Sequence, residues 1–131
     1  MCLMKAELGI SLKADFSPLY DRLDFGFECG DGWYELLRNL SQKLFDGCAE
    51  REIHLGPEEN GHGFYATQVK EKYGTLRFYT SVIYDWMGPC IENAEFLSGR
   101  TCEYCGEAGE IRHIRGWYIT RCEDCTRRAE K

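Results

Sequence analysis

No stretch of this 131-residue chain approaches the roughly 20 consecutive apolar residues that a membrane-spanning helix requires. The opening residues, Met1-Cys-Leu-Met-Lys-Ala-Glu-Leu, hold no continuous apolar run either. No secretory signal is therefore expected, and the expected compartment is the reducing cytoplasm. Also missing are a phosphate-cradling glycine loop, a helical His-Glu-x-x-His and a Ser–His–Asp signature, which argues against an enzyme. Basic residues are too few for the dense cationic face of a duplex-binding protein: the formal net charge is −6. There is no internal repeat, no low-complexity tract, and no linker before residue 99.

Cysteine, by contrast, is plentiful, with eight residues. Four form two Cys-x-x-Cys pairs, Cys102-Glu-Tyr-Cys105 and Cys122-Glu-Asp-Cys125, with sixteen residues between the inner cysteines. In a reducing compartment that spacing points to a tetrathiolate zinc site rather than to disulfides. Four thiolates fill a tetrahedral shell and leave no place for an activated water, so one structural Zn2+ on Cys102, Cys105, Cys122 and Cys125 is expected. Such an ion can order a segment too small to bury a core of its own. His113 lies between the pairs and could replace a ligand, although a hairpin histidine with its own hydrogen bonds is the simpler reading. Cys2, Cys29, Cys48 and Cys90 are scattered and read as small buried hydrophobes.

Hydrophobic residues make up 44% of the chain and aromatics 14%, enough for a folded core. Ser17–Leu23 reads as a short helix, with serine as cap and Pro18 at the first helical position. Trp33, Leu36, Leu37, Leu40 and Leu44 recur at three- and four-residue steps, which predicts an amphipathic helix over about 32–46. Asp31 is its expected cap and Gly47 its expected stop. Residues 56–63 form a polar, glycine-rich loop. The segments 64–72 and 75–82 alternate aromatic or β-branched residues with charged ones, predicting two antiparallel strands turning at Tyr73-Gly74, with Leu76, Phe78 and Val82 on one face. A second helix is expected near 84–98. Ile111–Arg115 and Trp117–Arg121 form a hairpin about Gly116, and Thr126–Lys131 either adds a helical turn or frays. The fold class expected is α+β: a small antiparallel sheet packed with two main helices over residues 1–98, and a C-terminal zinc-ribbon hairpin over 99–131 packed on that body.

Two further patterns carry possible chemistry. Cys29 precedes a predicted helix start, where a thiol ionises more readily, and could pair with His54 or His62 as a nucleophile. The same stretch reads equally as a tight turn delivering Trp33 to the core. Lys70, Lys72 and Arg77 interleave with Tyr65, Tyr73 and Tyr79, a composition that can stack bases and touch phosphates. Arg112, Arg115, Arg121, Arg127 and Arg128 could add a second basic stripe. A half-buried sheet with a solvated outer face explains the same residues. The charge is also uneven: residues 1–98 carry nine Lys/Arg against sixteen Asp/Glu, a net −7, while 99–131 carry seven against six, a net +1.

Taken together, Cys29-Gly-Asp-Gly-Trp-Tyr34, Val69-Lys-Glu-Lys-Tyr-Gly-Thr-Leu-Arg-Phe-Tyr79 and Cys102-Glu-Tyr-Cys-Gly106 with Gly116-Trp117 and Cys122 resemble a group of small uncharacterised bacterial and phage proteins. The resemblance spans about residues 17–125 and brings no activity with it. It implies a cytoplasmic protein, often encoded near mobile elements, ending in a zinc ribbon. The expected function is binding rather than turnover, with a protein partner whose basic surface the acidic body could mimic or block. A nucleic-acid accessory role and a cysteine-dependent enzyme are the alternatives. Oligomeric state is not legible.

Overall fold

The amphipathic stripe of residues 33–44 organises the core. In the computed structural model, which describes residues 3–129, a single tight 3-10 turn over Asp31–Trp33 leads into the longest helix, Tyr34–Glu50. Trp33, Leu37 and Leu44 are completely buried and Leu40 nearly so. This is helix α2. Preceding it are helix α1 (Ala6–Asp15) and a two-residue strand β1 (Phe27–Glu28). After it come strands β2 (Ala66–Lys72) and β3 (Thr75–Thr80) and helix α3 (Met87–Ser98). The C-terminal part consists of strands β4 (Glu110–Ile114) and β5 (Trp117–Arg121) and the short helix α4 (Glu123–Ala129). The fold is thus mixed α+β, with one three-stranded and one two-stranded sheet.

β2 and β3 pair antiparallel, and Val69 lies opposite Phe78 on the core side. Their two-residue turn, Tyr73-Gly74, has both φ angles positive (54° and 88°), the geometry that matches the twist of hairpin strands. Arg115-Gly116 repeats that geometry (51° and 84°) between β4 and β5. β1 adds a short parallel edge beside β2, pairing Phe27 with Val69. The opposite edge, β3, is covered by α3: Ser98 Oγ accepts the Leu76 N–H at 2.8 Å and the Glu95 carboxylate accepts the Phe78 N–H at 3.0 Å. Two edge donors that would otherwise face outward are thereby paired. Met87, Ile91 and Ala94 close the core from that side.

Three expectations need correction, and one helix has no signature in the sequence. Ser17–Leu23 is not a helix but a series of turns, with i→i−3 bonds from Leu19, Asp21 and Leu23, and its Ser17–Pro18 peptide is cis. A helix there would require the Leu19 carbonyl, which instead accepts the Ala66 N–H and ties the segment to β2. α1 leaves no periodic signature in the sequence, because its apolar residues follow no stripe and only Leu12 is buried. Asp31 does not cap α2: its carboxylate accepts the Lys5 N–H at 2.8 Å, closing the start of α1. Gly47 does not end α2, which runs on to Glu50. Its lack of a side chain instead makes room for the Trp86 ring, which a Cβ there would strike. Cys2, Glu130 and Lys131 lie outside the described residues.

Candidate metal centre

The C-terminal segment is shaped by its backbone before any side chain contributes. At the first knuckle the Gly106 N–H returns to the Cys102 carbonyl at 2.9 Å, and Gly106 sits at φ 84°, a conformation that favours glycine. The Cys102 N–H donates to the Glu107 carbonyl at 2.7 Å, so the loop closes on itself. The second knuckle lies where β5 passes into α4. There the Cys125 N–H donates to the Cys122 sulfur at 3.3 Å, and Thr126 bonds the Cys122 carbonyl through both its N–H and its hydroxyl.

These two turns bring the Sγ atoms of Cys102, Cys105, Cys122 and Cys125 within 4.8 Å of one another. Cys105 and Cys122 sulfurs stand 3.6 Å apart, and none of the four is in a disulfide. A regular tetrahedron with Zn–S bonds of about 2.3 Å has sulfurs about 3.8 Å apart, so the four fit a tetrahedral divalent ion with little adjustment. Cys102 is fully buried, Cys105 is exposed, and the other two are half-buried. Without an ion the four thiols compete for protons. Burial opposes ionisation of Cys102, but hydrogen bonds from the backbone of Cys105, Cys122 and Tyr104 outweigh it and lower its pKa to about 7. Burial and the neighbouring sulfurs push Cys125 up to about 12. An ion that takes thiolates must therefore displace protons.

The knuckle is seated on the body by the segment Cys29-Gly-Asp-Gly-Trp33. The Gly32 N–H donates to the Glu103 carbonyl at 2.7 Å, the Gly30 N–H to the Glu103 carboxylate at 2.9 Å, and the Trp33 indole N–H to the Thr101 carbonyl at 2.9 Å. A Cβ on Gly30 or Gly32 would collide with the backbone carbonyls of Glu103 and Cys102. The second anchor is the Tyr73-Gly74 turn, whose Gly74 carbonyl accepts the Thr120 hydroxyl. The two sequence motifs of the body are thus the two docking points of the ribbon. A Gly-x-Gly flanking one polar residue signals close backbone approach, but nothing in the sequence names what approaches. Glu103, buried and bonded to the body, likewise carries no mark in the sequence of that role.

Other candidate residues fall elsewhere. His113 is exposed and stacks on Tyr118 (ring centroids 4.7 Å apart), outside the sulfur cluster. Cys29 is completely buried, and burial, then the charges of Glu103 and Glu28, raise its pKa well above the ordinary thiol range. His62 lies exposed on the polar loop and His54 exposed just before it, bonding the Pro57 carbonyl at 3.2 Å; no Cys29–histidine hydrogen bond forms. The geometry therefore supplies no activated Cys–His pair. Cys48 is buried and Cys90 half-buried. On the body hairpin, Lys70 stands directly opposite Arg77 and Gln68 opposite Tyr79. The ribbon arginines are not one stripe: Arg121 is buried against the Tyr104 ring at 4.3 Å, Arg112 pairs with Glu110 at 3.3 Å, and Arg127 pairs with Asp124. Among the described residues no helix is long and apolar enough to cross a membrane.

Comparison of the chain with models of known protein families, with curated proteins and with solved structures finds no match.

Proposed function

We propose that the protein is a small binding module held in shape by one structural zinc ion on Cys102, Cys105, Cys122 and Cys125, and that it acts by binding another protein rather than by turnover. The convergence of four sulfurs within 4.8 Å supports the metal. An all-thiolate tetrahedral set suits zinc, and a filled shell gives the ion no catalytic position. Net −7 over residues 1–98 supports a partner with a basic surface, which the acidic body would mimic or block. The motif resemblance supplies the context, an inhibitor encoded by a phage or another mobile element and working in the cytoplasm. Affinity capture from a bacterial lysate with intact, zinc-loaded protein tests the reading. One specific protein, released by salt, is expected; recovery of nothing specific contradicts it.

A second reading has its own observation. Lys70 and Arg77 face each other across the β2–β3 ladder, and although Glu28 is the register partner of Lys70 on β1, no carboxylate among the described residues is ion-paired with either; Tyr79 stands beside them 45% exposed. Like charges directly opposite are unfavourable unless an anion joins them. A single-stranded nucleic acid is the alternative ligand of that face, and its binding would weaken steeply with salt.

A further inference from the structure

We infer that the hollow between the ribbon and the first sheet is a docking site for an arginine-bearing segment of a partner protein, with a guanidinium seated among Trp117, Glu28, Glu71 and Glu103. The inference rests on the protein-binding reading above and gives it a surface and a ligand chemistry.

The hollow measures about 200 Å³. Its acidic groups come from three places: Glu28 from the end of β1, Glu71 from near the end of β2, and Glu103 from the first knuckle. Its apolar walls are Trp117, Tyr118 and Tyr104. Trp117 is 72% exposed although it begins a strand, and Tyr118 and Tyr104 are more than 40% exposed. His113 covers one face of Tyr118 and Arg121 one face of Tyr104, but three large aromatics this exposed around one concavity mark an interaction surface.

The carboxylates say what that surface takes. Each is held by one neutral donor: Glu28 by the Gln68 amide at 3.1 Å, Glu71 by the Gly74 N–H at 2.7 Å, Glu103 by the Gly30 N–H at 2.9 Å. Among the described residues none of the three is in an ion pair. Glu103 is nine-tenths buried, and no hydrogen bond from a described residue reaches its second oxygen. A buried carboxylate with an idle oxygen calls for a cationic donor. Lys70 and Lys72 line an adjoining hollow of about 420 Å³ that shares Glu28 and Glu71, and Arg121, whose charge acts on Glu103, stacks on the Tyr104 ring; among the described residues none of these three cations is within ion-pair distance of a carboxylate. A planar guanidinium suits the site better than an ammonium, because it can stack on indole while donating to several carboxylates.

Titration of the zinc-loaded full chain with nona-arginine, read by calorimetry and tryptophan fluorescence, tests the site. Trp117→Ala removes an exposed ring. Glu28→Gln and Glu71→Gln delete charge while keeping an oxygen for Gln68 and Gly74, so all three variants should fold. The expected result is a tenfold or greater loss of affinity in Trp117→Ala and in the Glu28→Gln/Glu71→Gln pair. A remote control on the polar loop, Glu58→Gln/Glu59→Gln, should change affinity less than twofold, and nona-lysine should bind more weakly than nona-arginine. Equal loss in the control, or no binding at all, overturns the site. So does a poly-dT oligonucleotide that binds the wild type and competes with the peptide, since the hollow would then serve a polyanion. If lysate capture fails while the peptide series behaves as expected, the native-partner reading falls and the arginine site stands. If Trp117→Ala captures the same partner as the wild type, that reading stands and this surface falls.

Discussion

The backbone N–H of Gly32 donates to the Glu103 carbonyl at 2.7 Å, joining the turn before α2 to the loop between the first two metal-ligand candidates. A body glycine and a ribbon residue are thus in direct main-chain contact, and the space between them admits no side chain.

Gly32→Ala should destabilise the protein by about 1–3 kcal/mol, because a Cβ there meets the Cys102 carbonyl and the backbone must shift. The comparison is Gly88→Ala on α3, where a Cβ meets nothing within 4 Å. That change should be neutral or should stabilise by up to about 1 kcal/mol through helix propensity. Urea unfolding of both variants checks the contrast; equal effects would remove the docking argument.

Ser98→Ala should cost about 1–3 kcal/mol, because it leaves the buried Leu76 N–H on β3 without its acceptor. Its removal also opens an edge strand, so a greater tendency to aggregate should accompany the loss. Denaturant melts and light scattering read the two effects separately.

Cys29 should resist thiol reagents in the folded protein and label only as fast as the chain unfolds, since its sulfur is buried and kept protonated. Its raised folded pKa has a signed consequence. Below the ordinary thiol pKa of about 8.5 both states are protonated and the group is silent. Above it only the unfolded state loses the proton, so stability should fall as pH rises. Cys48, raised to about 11 by burial, adds to the same slope. Alkaline thermal melts, with mass-spectrometric mapping of labelled cysteines, test both statements. Rapid labelling of Cys29 at neutral pH would instead reopen the nucleophile reading.

Metal retention should fall on acidification, because binding displaces protons from thiols such as Cys125. Each proton released makes affinity drop by about tenfold per unit of pH. A chromophoric chelator competing at several pH values measures the slope; a flat response would mean that thiolates do not hold the ion.

Much of this was legible in sequence wherever periodicity and punctuation agreed. The stripe from Trp33 to Leu44, the alternation on β2 and β3, and the paired knuckles all reported their structure, since in each the local pattern and the tertiary role coincide. Legibility failed where a distant partner decided the outcome. Ser17–Leu23 carries helix-start residues, yet Ala66 takes the carbonyl a helix would need. Asp31 has the chemistry of a cap but spends it on Lys5. Gly47 looks like a stop and is a seat for Trp86. At the candidate metal centre the convergence of the four cysteines was readable and their mounting was not. Gly30, Gly32 and Gly74 announce close approach, but only the structure identifies Glu103, Cys102 and Tyr118 as what comes near.

The measurement that bears most directly on the account is metal analysis of protein purified under reducing conditions, followed by amide spectra before and after chelation. One zinc per chain is predicted, with loss of dispersed signals for the ribbon from Cys102 to Cys125 once the ion is removed and their return on adding it back. Metal-free protein whose ribbon signals are fully dispersed would contradict it.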